Sequence, residues 1–136
     1  MEKCIAVEIY TPYGKYLATE CDYLSLSTEV GVIGILPNHA PLVSTVIVSK
    51  LTIRKDKKES LFAIGKGVIH IKKDHKVVLL VDSIESKSEI DVARAREAKL
   101  RAEKRLKESH KDEIDVLRAK AALSRALNRL AVSDNN

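Results

Sequence analysis

The chain has 136 residues, enough for one compact domain or a small core with an appendage, and too few for two full-sized domains. Its formal net charge of +5 permits contact with an acidic surface, a nucleotide or nucleic acid without selecting among them. No stretch approaches the roughly 20 apolar residues that span a bilayer, and the first residues lack a signal-peptide pattern. We therefore expect a cytosolic protein without direct membrane insertion.

The first part of the chain is predicted to be a sheet of short strands. All five glycines, all three prolines and all five aromatic residues lie within the first 67 positions, as expected for strands joined by tight turns. Apolar alternation or short apolar runs predict strands at residues 5–9, 24–26, 30–36, 42–48, 51–54, 61–64, 68–71 and 77–81. About eight to ten such strands favour an antiparallel sandwich or flattened barrel. A parallel sheet is not expected, because no helical crossover separates the strands.

The turns between these strands carry polar or small residues. The lysine-rich runs at 55–58 and 72–75 are predicted to be solvated hairpin tips, and Gly65-Lys66-Gly67 a tight turn, because it is too short for a phosphate-binding loop. His39 lies between two prolines and is predicted to be a turn residue bonded to the backbone, not a catalytic base.

The reactive residue types form no recognisable catalytic or metal-binding pattern. The four histidines are widely separated, and no His/Cys pair has the spacing of a zinc site. Cys4 and Cys21 lie among apolar or strand-like neighbours, and we expect reduced, buried thiols. No nucleophile, base and orienting acid can be assembled, so neither an enzyme nor a metal site is expected.

From residue 89 onward the apolar period changes to that of a helix. Two amphipathic helices follow, and the short polar connection at 108–112 predicts that they are antiparallel. Ser88 and Asp112 are the predicted N-caps. The chain is therefore predicted to be α+β, with a sheet domain at 1–84 and a two-helix hairpin at 85–136.

The two helical segments are copies of one another. Residues 89–106, the first copy, match residues 113–130, the second copy, at eleven of eighteen positions. Apolar matches are expected of any packed helix pair, but several matches are polar, and a core does not require them. The polar matches include Asp91 with Asp115, Arg94 with Arg118, Arg101 with Arg125, and Arg105 with Arg129.

The repeated arginines allow two interpretations. Spacings of seven and four place the three arginines of each copy on one helix face, where several guanidinium forks could hold a polyphosphate. Alternatively, this is an ordinary charged surface, since Asp91 precedes Arg94 by three residues and Glu97 precedes Arg101 by four. Spacing alone leaves both interpretations open.

Two motifs give the chain a resemblance to a known family. The sequence GILPNHAPLV at 34–43, followed by IDVARA at 90–95, resembles the epsilon subunit of bacterial F-type ATP synthase over essentially the whole chain. Asn38 occupies a position where that family commonly has glycine, and asparagine tolerates the left-handed backbone that such a turn needs. The IDVARA segment is similar to the [IL]DxxRA motif of Bacillus-type subunits whose helical tail binds ATP.

The resemblance implies a set of ATP-binding residues and no metal. Ile90, Asp91, Arg94 and Ala95 match the motif, and further contributions are expected from Arg101, Arg125, Arg129 and Glu85. The arginines would bind phosphate oxygens, while Asp91 or Glu85 would accept from the base or ribose, or hold an arginine in place. ATP would be a regulatory ligand.

The resemblance also implies partners. The sheet domain would dock on the gamma subunit and the ring of c subunits, as part of a rotating stalk that couples proton flow to ATP synthesis at the cytoplasmic face of the membrane. The helices would inhibit ATP hydrolysis when extended into the alpha/beta catalytic head, and would permit it when folded with ATP bound. The other function classes considered are a nucleic-acid-binding module and an autonomous enzyme; with no aromatic residue in the helical part, base stacking there is not expected.

Overall fold

A computed structural model describes residues 4–108 and 113–134. The chain divides into two compact units, Met1–Ser86 and Lys87–Asn136. The first unit extends two residues past the predicted division, because the last strand, Ile84–Ser86, still pairs within the sheet.

The first unit is a single sheet of ten strands, within the predicted number. The strands are β1 Ile5–Thr11, β2 Gly14–Cys21, β3 Tyr23–Thr28, β4 Gly31–Ile35, β5 Leu42–Val46, β6 Ser49–Lys55, β7 Lys58–Ile64, β8 Gly67–Ile71, β9 Val77–Val81 and β10 Ile84–Ser86. Their order is β10-β7-β6-β3-β5-β8-β9-β1-β2, with β4 paired to β3. Tyr16 of β2 and Phe62 of β7 make an edge-to-face contact with ring centroids 6.3 Å apart, although their strands lie near opposite ends of that order. The sheet therefore curls over on itself, as the sandwich or flattened-barrel prediction requires.

The enclosed face of the sheet is the apolar core. Alternate residues of each strand point inward, so Ile9, Leu79 and Ile69 of three adjacent strands form one fully buried row. Burying each such side chain stabilises the fold by roughly 1.5–3 kcal/mol. The alternation read from the sequence thus identifies the core.

One strand pair differs from the predicted antiparallel arrangement. β1 and β9 are parallel, with Val7 opposite Val77 and Tyr10 opposite Leu80. A helical crossover is required only when parallel neighbours are consecutive in the chain; here seven strands connect the two, so the prediction was wrong on this pair. Two strands were not predicted: β2, in which only Cys21 is buried, and the three-residue β10.

The turns at Asn38, at Asp56-Lys57 and at His39 agree with the predictions made for them. Asn38 has a φ of 67°, the left-handed geometry expected at this position. Asp56 and Lys57 have φ values of 51° and 68° between β6 and β7, which suits a two-residue hairpin turn. His39 Nδ1 lies 2.7 Å from the carbonyl oxygen of Ala40, as expected of a turn residue bonded to the backbone. The prediction of a tight turn at Gly65-Lys66-Gly67 was wrong for Gly67, which begins β8; a Cβ there would come within 1.8 Å of the Leu80 carbonyl oxygen, so close strand approach explains this glycine.

Both cysteines are free thiols, as predicted, but they differ in burial. Cys21 is buried, and burial raises the pKa of its thiol to about 11, so it is protonated near neutral pH. Cys4 is half-buried, and its sulfur lies 3.6 Å from a carboxylate oxygen of Glu20. The prediction of buried thiols therefore applies to Cys21 only.

The second unit is a pair of helices after a single 3₁₀ turn, Lys87–Glu89. The helices are α1 Val92–Glu108 and α2 Glu113–Asp134. Four alanines, which we call the seam, are buried where the helices pack: Ala95 and Ala102 of α1, and Ala119 and Ala126 of α2. Small residues spaced by seven in both helices allow close approach along one stripe. The predicted cap Asp112 lies outside the described residues.

Candidate functional site

The start of α1 differs from the prediction. Ser88 lies in the 3₁₀ turn, and the N-cap is Asp91, whose carboxylate accepts a hydrogen bond from the backbone amide of Arg94 at 3.1 Å. The backbone amide of Ala95 donates to the Asp91 carbonyl oxygen at 3.0 Å, which is the first turn of the helix. Ile90, directly before the cap, is buried with 8% exposure. Asp91, with the backbone amides of Arg94 and Ala95, therefore forms the first turn of α1.

The arginines of α1 form an exposed stripe beside the seam. Arg94, Arg101 and Arg105 are all exposed, and their spacing of seven and four keeps them on one face. Glu97 lies 3.9 Å from Arg101, which confirms the predicted ion pair. Both side chains are about two-thirds exposed, so this pair contributes only about 0.3–0.5 kcal/mol. The contact between Asp91 and Arg94 goes to the backbone amide, so Asp91 stabilises the helix end and does not form the predicted side-chain pair.

The arginines of α2 occupy the same side of the hairpin as those of α1. In each helix an arginine directly precedes each seam alanine: Arg94 and Ala95, Arg101 and Ala102, Arg118 and Ala119, Arg125 and Ala126. Each of these arginines is one residue before a seam alanine, so it is rotated about 100° around its helix axis from the seam. In antiparallel helices that face each other across the seam, this rotation brings the arginines of both helices to the same side of the hairpin. We call this side, with Arg94, Arg101, Arg105, Arg118, Arg125 and Arg129, the arginine face.

A cleft on the hairpin supports that placement. It has a volume of about 490 Å³ and is lined by Arg105 and Glu108 from the end of α1 and by Asp115 and Arg118 from the start of α2. The end of one helix therefore lies beside the start of the other, which makes the helices antiparallel, as predicted. One arginine from each copy meets the other in this cleft, together with two carboxylates. From the sequence, Arg118 was predicted to share a helix face with the other repeated arginines but was not among the predicted ATP-binding residues. The repeat nevertheless aligns it with Arg94, which was among them.

The predicted ATP-binding residues are thus distributed over both units. Arg94, Arg101 and Arg125 are exposed on the arginine face, and Arg129 lies there half-buried. Ala95 is buried in the seam, so its side chain packs between the helices. Glu85 belongs to β10 of the sheet unit, where it is half-buried and opposite Ala63 of β7.

The sheet unit carries a second candidate surface, which is apolar. Val43, Val68 and Leu80 are 66%, 37% and 51% exposed on its outer side, and Val68 pairs directly with Leu80. A shallow cleft of about 370 Å³ lies next to them and is lined by Tyr10, Thr11, Pro12, Gly67, Val68, Leu80, Val81 and Asp82. Exposed apolar patches of this kind commonly mark protein contacts.

An ion-pair cluster orders the rim of that apolar surface. Glu8 Oε1 lies 2.6 Å from the Lys76 ammonium, and Tyr10 donates its hydroxyl proton to Glu8 Oε2 at 2.5 Å. The bond from Lys76 and then that from Tyr10 lower the pKa of Glu8 to about 2, while the same carboxylate raises the pKa values of Tyr10 and Lys76. Glu8 therefore stays charged and holds the Tyr10 ring beside the cleft.

The described residues group no three His, Cys, Asp or Glu side chains that could hold a metal ion. In the same part of the chain, no helix is long and apolar enough to cross a membrane.

Two family descriptions match the chain almost end to end. Residues 4–87 match "ATP synthase, Delta/Epsilon chain, beta-sandwich domain", and residues 88–134 match "ATP synthase, Delta/Epsilon chain, long alpha-helix domain". The chain belongs to the ATP synthase delta/epsilon chain family. The resemblance drawn from the two motifs is thereby confirmed, and a chain of this family is a structural and regulatory part of the synthase rather than its catalytic part.

Individual relatives agree with this assignment. The ATP synthase epsilon chain of Halalkalibacterium halodurans is 41% identical over 103 residues, which cover 76% of this chain and 77% of that protein. That of Bacillus licheniformis is 37% identical over 104 residues, covering 76% of this chain and 79% of its own. These identities identify an epsilon-type chain.

Solved structures share the fold at lower identity. A chain of the Euglena gracilis mitochondrial ATP synthase (OSCP/F1/c-ring) has a TM-score of 0.85 at 18% identity, covering 96% of this chain and 82% of its own. A chain of the Tetrahymena thermophila mitochondrial ATP synthase central stalk and c-ring has a TM-score of 0.65 at 18% identity, covering 97% of both chains. At this identity the likeness supports the fold alone.

Proposed function

We propose that this epsilon-type chain is a central-stalk subunit that docks through its sheet unit and regulates ATP hydrolysis through its helical hairpin. The observation that carries the regulatory part is the arginine face, where six arginines from two copies of one repeat lie on one side of a hairpin. A packed helix pair needs no such arrangement, because the arginines lie outside the alanine seam that joins the helices.

The ligand proposed for the arginine face is ATP. Guanidinium groups bind phosphate oxygens with two parallel hydrogen bonds, and Arg94, Arg101, Arg125 and Arg129 are the candidates for the triphosphate. Glu85, Ile90, Asp91 and Ala95 complete the site by resemblance. ATP would favour the folded hairpin only by its greater affinity for that state over the extended one.

The partners proposed for the sheet unit are the gamma subunit and the ring of c subunits. The exposed apolar patch around Val68 and Leu80 supports a protein contact on this unit. Relatives in solved structures come from a central stalk and c-ring and from an F1/c-ring assembly, in agreement with this placement. In the extended state the basic helices would meet the alpha/beta head. The subunit would then lie at the cytoplasmic face of the membrane and take part in proton-coupled ATP synthesis.

The nucleotide site is tested by titrating the isolated chain with ATP or ADP in the absence of magnesium. NMR shifts of the helical residues and the melting temperature should respond to ATP more than to ADP. Arg94→Ala and Arg125→Ala should each weaken binding by roughly tenfold or more, because each removes a charge-assisted contact. Arg96→Ala is the control, since Arg96 is exposed on α1 away from the arginine face. No response at millimolar ATP would remove the site.

The regulatory role is tested in the assembled complex. A chain ending at Ser86 keeps every strand of the sheet and lacks both helices. The complex that contains it should hydrolyse ATP faster than the complex with the full chain. Unchanged hydrolysis, with the truncated chain still bound, would contradict a regulatory hairpin and leave docking intact.

A further inference from the structure

The outer side of the sheet unit carries two rows of side chains that cross adjacent strands. The first row is Tyr10, Leu80 and Val68, and the second row, two residues away along each strand, is Glu8, Val78 and His70. Both rows point outward, because the side chains between them belong to the buried row of Ile9, Leu79 and Ile69. A protein that covers the exposed Leu80 and Val68 therefore also lies against Tyr10 and Glu8.

Glu8 would be costly to cover if its carboxylate were unpaired. The side chain is only 22% exposed, so a partner on this face would remove the water that remains around a full negative charge. Both carboxylate oxygens are already engaged within the chain: Oε1 with the Lys76 ammonium at 2.6 Å, and Oε2 with the Tyr10 hydroxyl at 2.5 Å. Glu8 and Lys76 together carry no net charge. A partner therefore needs to supply neither a cation nor a hydrogen-bond donor here.

The same contacts fix the Tyr10 ring. Its hydroxyl is held by Glu8, and the Lys15 ammonium lies 5.9 Å from the ring centre. The ring lines the shallow cleft together with Pro12 and Leu80, so the cluster determines the shape of one wall of that cleft. Tyr10 is half-buried and keeps part of its surface for a partner. A ring that is already held in place loses little conformational entropy when a partner binds.

We propose that the Glu8–Tyr10–Lys76 cluster, which neutralises its own charge, makes this face specific for an apolar and uncharged surface of the gamma subunit. The inference rests on the proposed docking of the sheet unit and adds the chemistry of the contact. Glu8 and Lys76 are positioning residues for Tyr10, and the Tyr10 ring makes the contact together with Leu80 and Val68. The face is one asymmetric patch beside a cleft, which suits a single partner better than a ring of repeated subunits.

The test is the affinity of the full chain for an alpha-beta-gamma complex that lacks it, measured by biolayer interferometry. Lys76→Met leaves the Glu8 carboxylate uncompensated beneath the partner and should weaken binding roughly tenfold or more. Glu8→Gln removes the charge and keeps an oxygen that accepts from Tyr10. Alone or combined with Lys76→Met, it should stay within about threefold of the parent, since a freed lysine can extend into water. Glu59→Gln is the matched control, because it breaks the 2.7 Å ion pair with Arg54, which lies outside the two rows.

Tyr10→Phe is a second, milder variant. It keeps the ring, removes one of the two bonds to the Glu8 carboxylate, and should weaken binding about threefold. All variants should melt within about 2 °C of the parent, because the substituted side chains lie on the outer face. A loss of binding is then not a loss of fold.

Three results would overturn the inference. If Glu8→Gln alone weakens binding as much as Lys76→Met, a cation of the partner binds the carboxylate. If the double variant binds as weakly as Lys76→Met, the lysine itself contacts the partner. If Lys76→Met binds like the parent, the cluster lies outside the interface. A parent chain that does not bind the complex contradicts instead the proposed docking on the gamma subunit.

Discussion

The two copies of the helical repeat are nearly the same sequence in two different settings. In the first copy, Ile90 is buried and Asp91 caps the start of α1; in the second, Ile114 is exposed and Asp115 lies within α2 beside a cleft. The seam alanines behave alike in both copies. Both copies therefore keep the same packing stripe, while the first residues of each copy take their role from the chain that precedes them.

The two copies should differ most in the stability that is lost when Ile90 or its counterpart Ile114 is replaced. Ile90→Ala should destabilise the hairpin by about 2–5 kcal/mol, because it removes a buried side chain next to the helix start. Ile114→Ala should change stability by no more than about 0.5 kcal/mol, since the residue is mostly exposed. Free energies of opening from amide exchange along both helices would measure this. Equal effects would show that the two settings are energetically equivalent.

The seam provides a test of where the copies agree. Ala102→Leu and Ala126→Leu change equivalent positions of the two copies, with 2% and 0% exposure, and each should cost about 1–3 kcal/mol by overpacking. Ala121→Leu, an exposed position of α2, is the matched control and should be close to neutral. Thermal unfolding followed by circular dichroism and amide exchange would report the change. If only one seam variant is destabilised, the helices do not pack symmetrically.

The smallest expected effect concerns Glu97. Its counterpart in the second copy is Ala121, so Arg101 has an acidic neighbour one turn earlier and Arg125 does not. Glu97→Ala makes the first copy resemble the second. It should cost at most about 0.5 kcal/mol, and less as salt screens the pair. ATP affinity should rise slightly, since Arg101 loses a competitor for its guanidinium. A marked loss of affinity would instead place Glu97 in the site.

Local patterns predicted most of the fold, and the failures have identifiable causes. Strand alternation and turn chemistry are local, so the core face and the left-handed turn at Asn38 could be read from the sequence. β2 was missed because Cys21 is its only buried residue, so the strand shows no clear apolar alternation. The parallel pairing of β1 with β9 joins segments about seventy residues apart, and no local signal encodes it.

Some features of the candidate site could likewise be predicted from the sequence, and others could not. Helical spacing placed the arginines on one face, which the structure bears out. The helix start was misplaced because Ser88 and Asp91 are both good cap residues, and their local sequences do not rank them. The burial of Ile90, a tertiary effect, accompanies the choice of Asp91. The repeat aligned Arg118 with Arg94, but the cleft with Arg105 required the two helices to be seen together.

The alanine seam also limits the free energy with which the two helices are held together. Each seam residue contributes one methyl group, roughly 0.8 kcal/mol of apolar burial, where leucine would contribute several times more. Exposing the four seam alanines therefore uncovers little apolar surface. A ligand present at a hundred times its dissociation constant stabilises the state it binds by about 2.7 kcal/mol, which is comparable with the seam as a whole. Under the proposed function, the small apolar contribution of these methyl groups would let the concentration of ATP decide whether the hairpin stays closed.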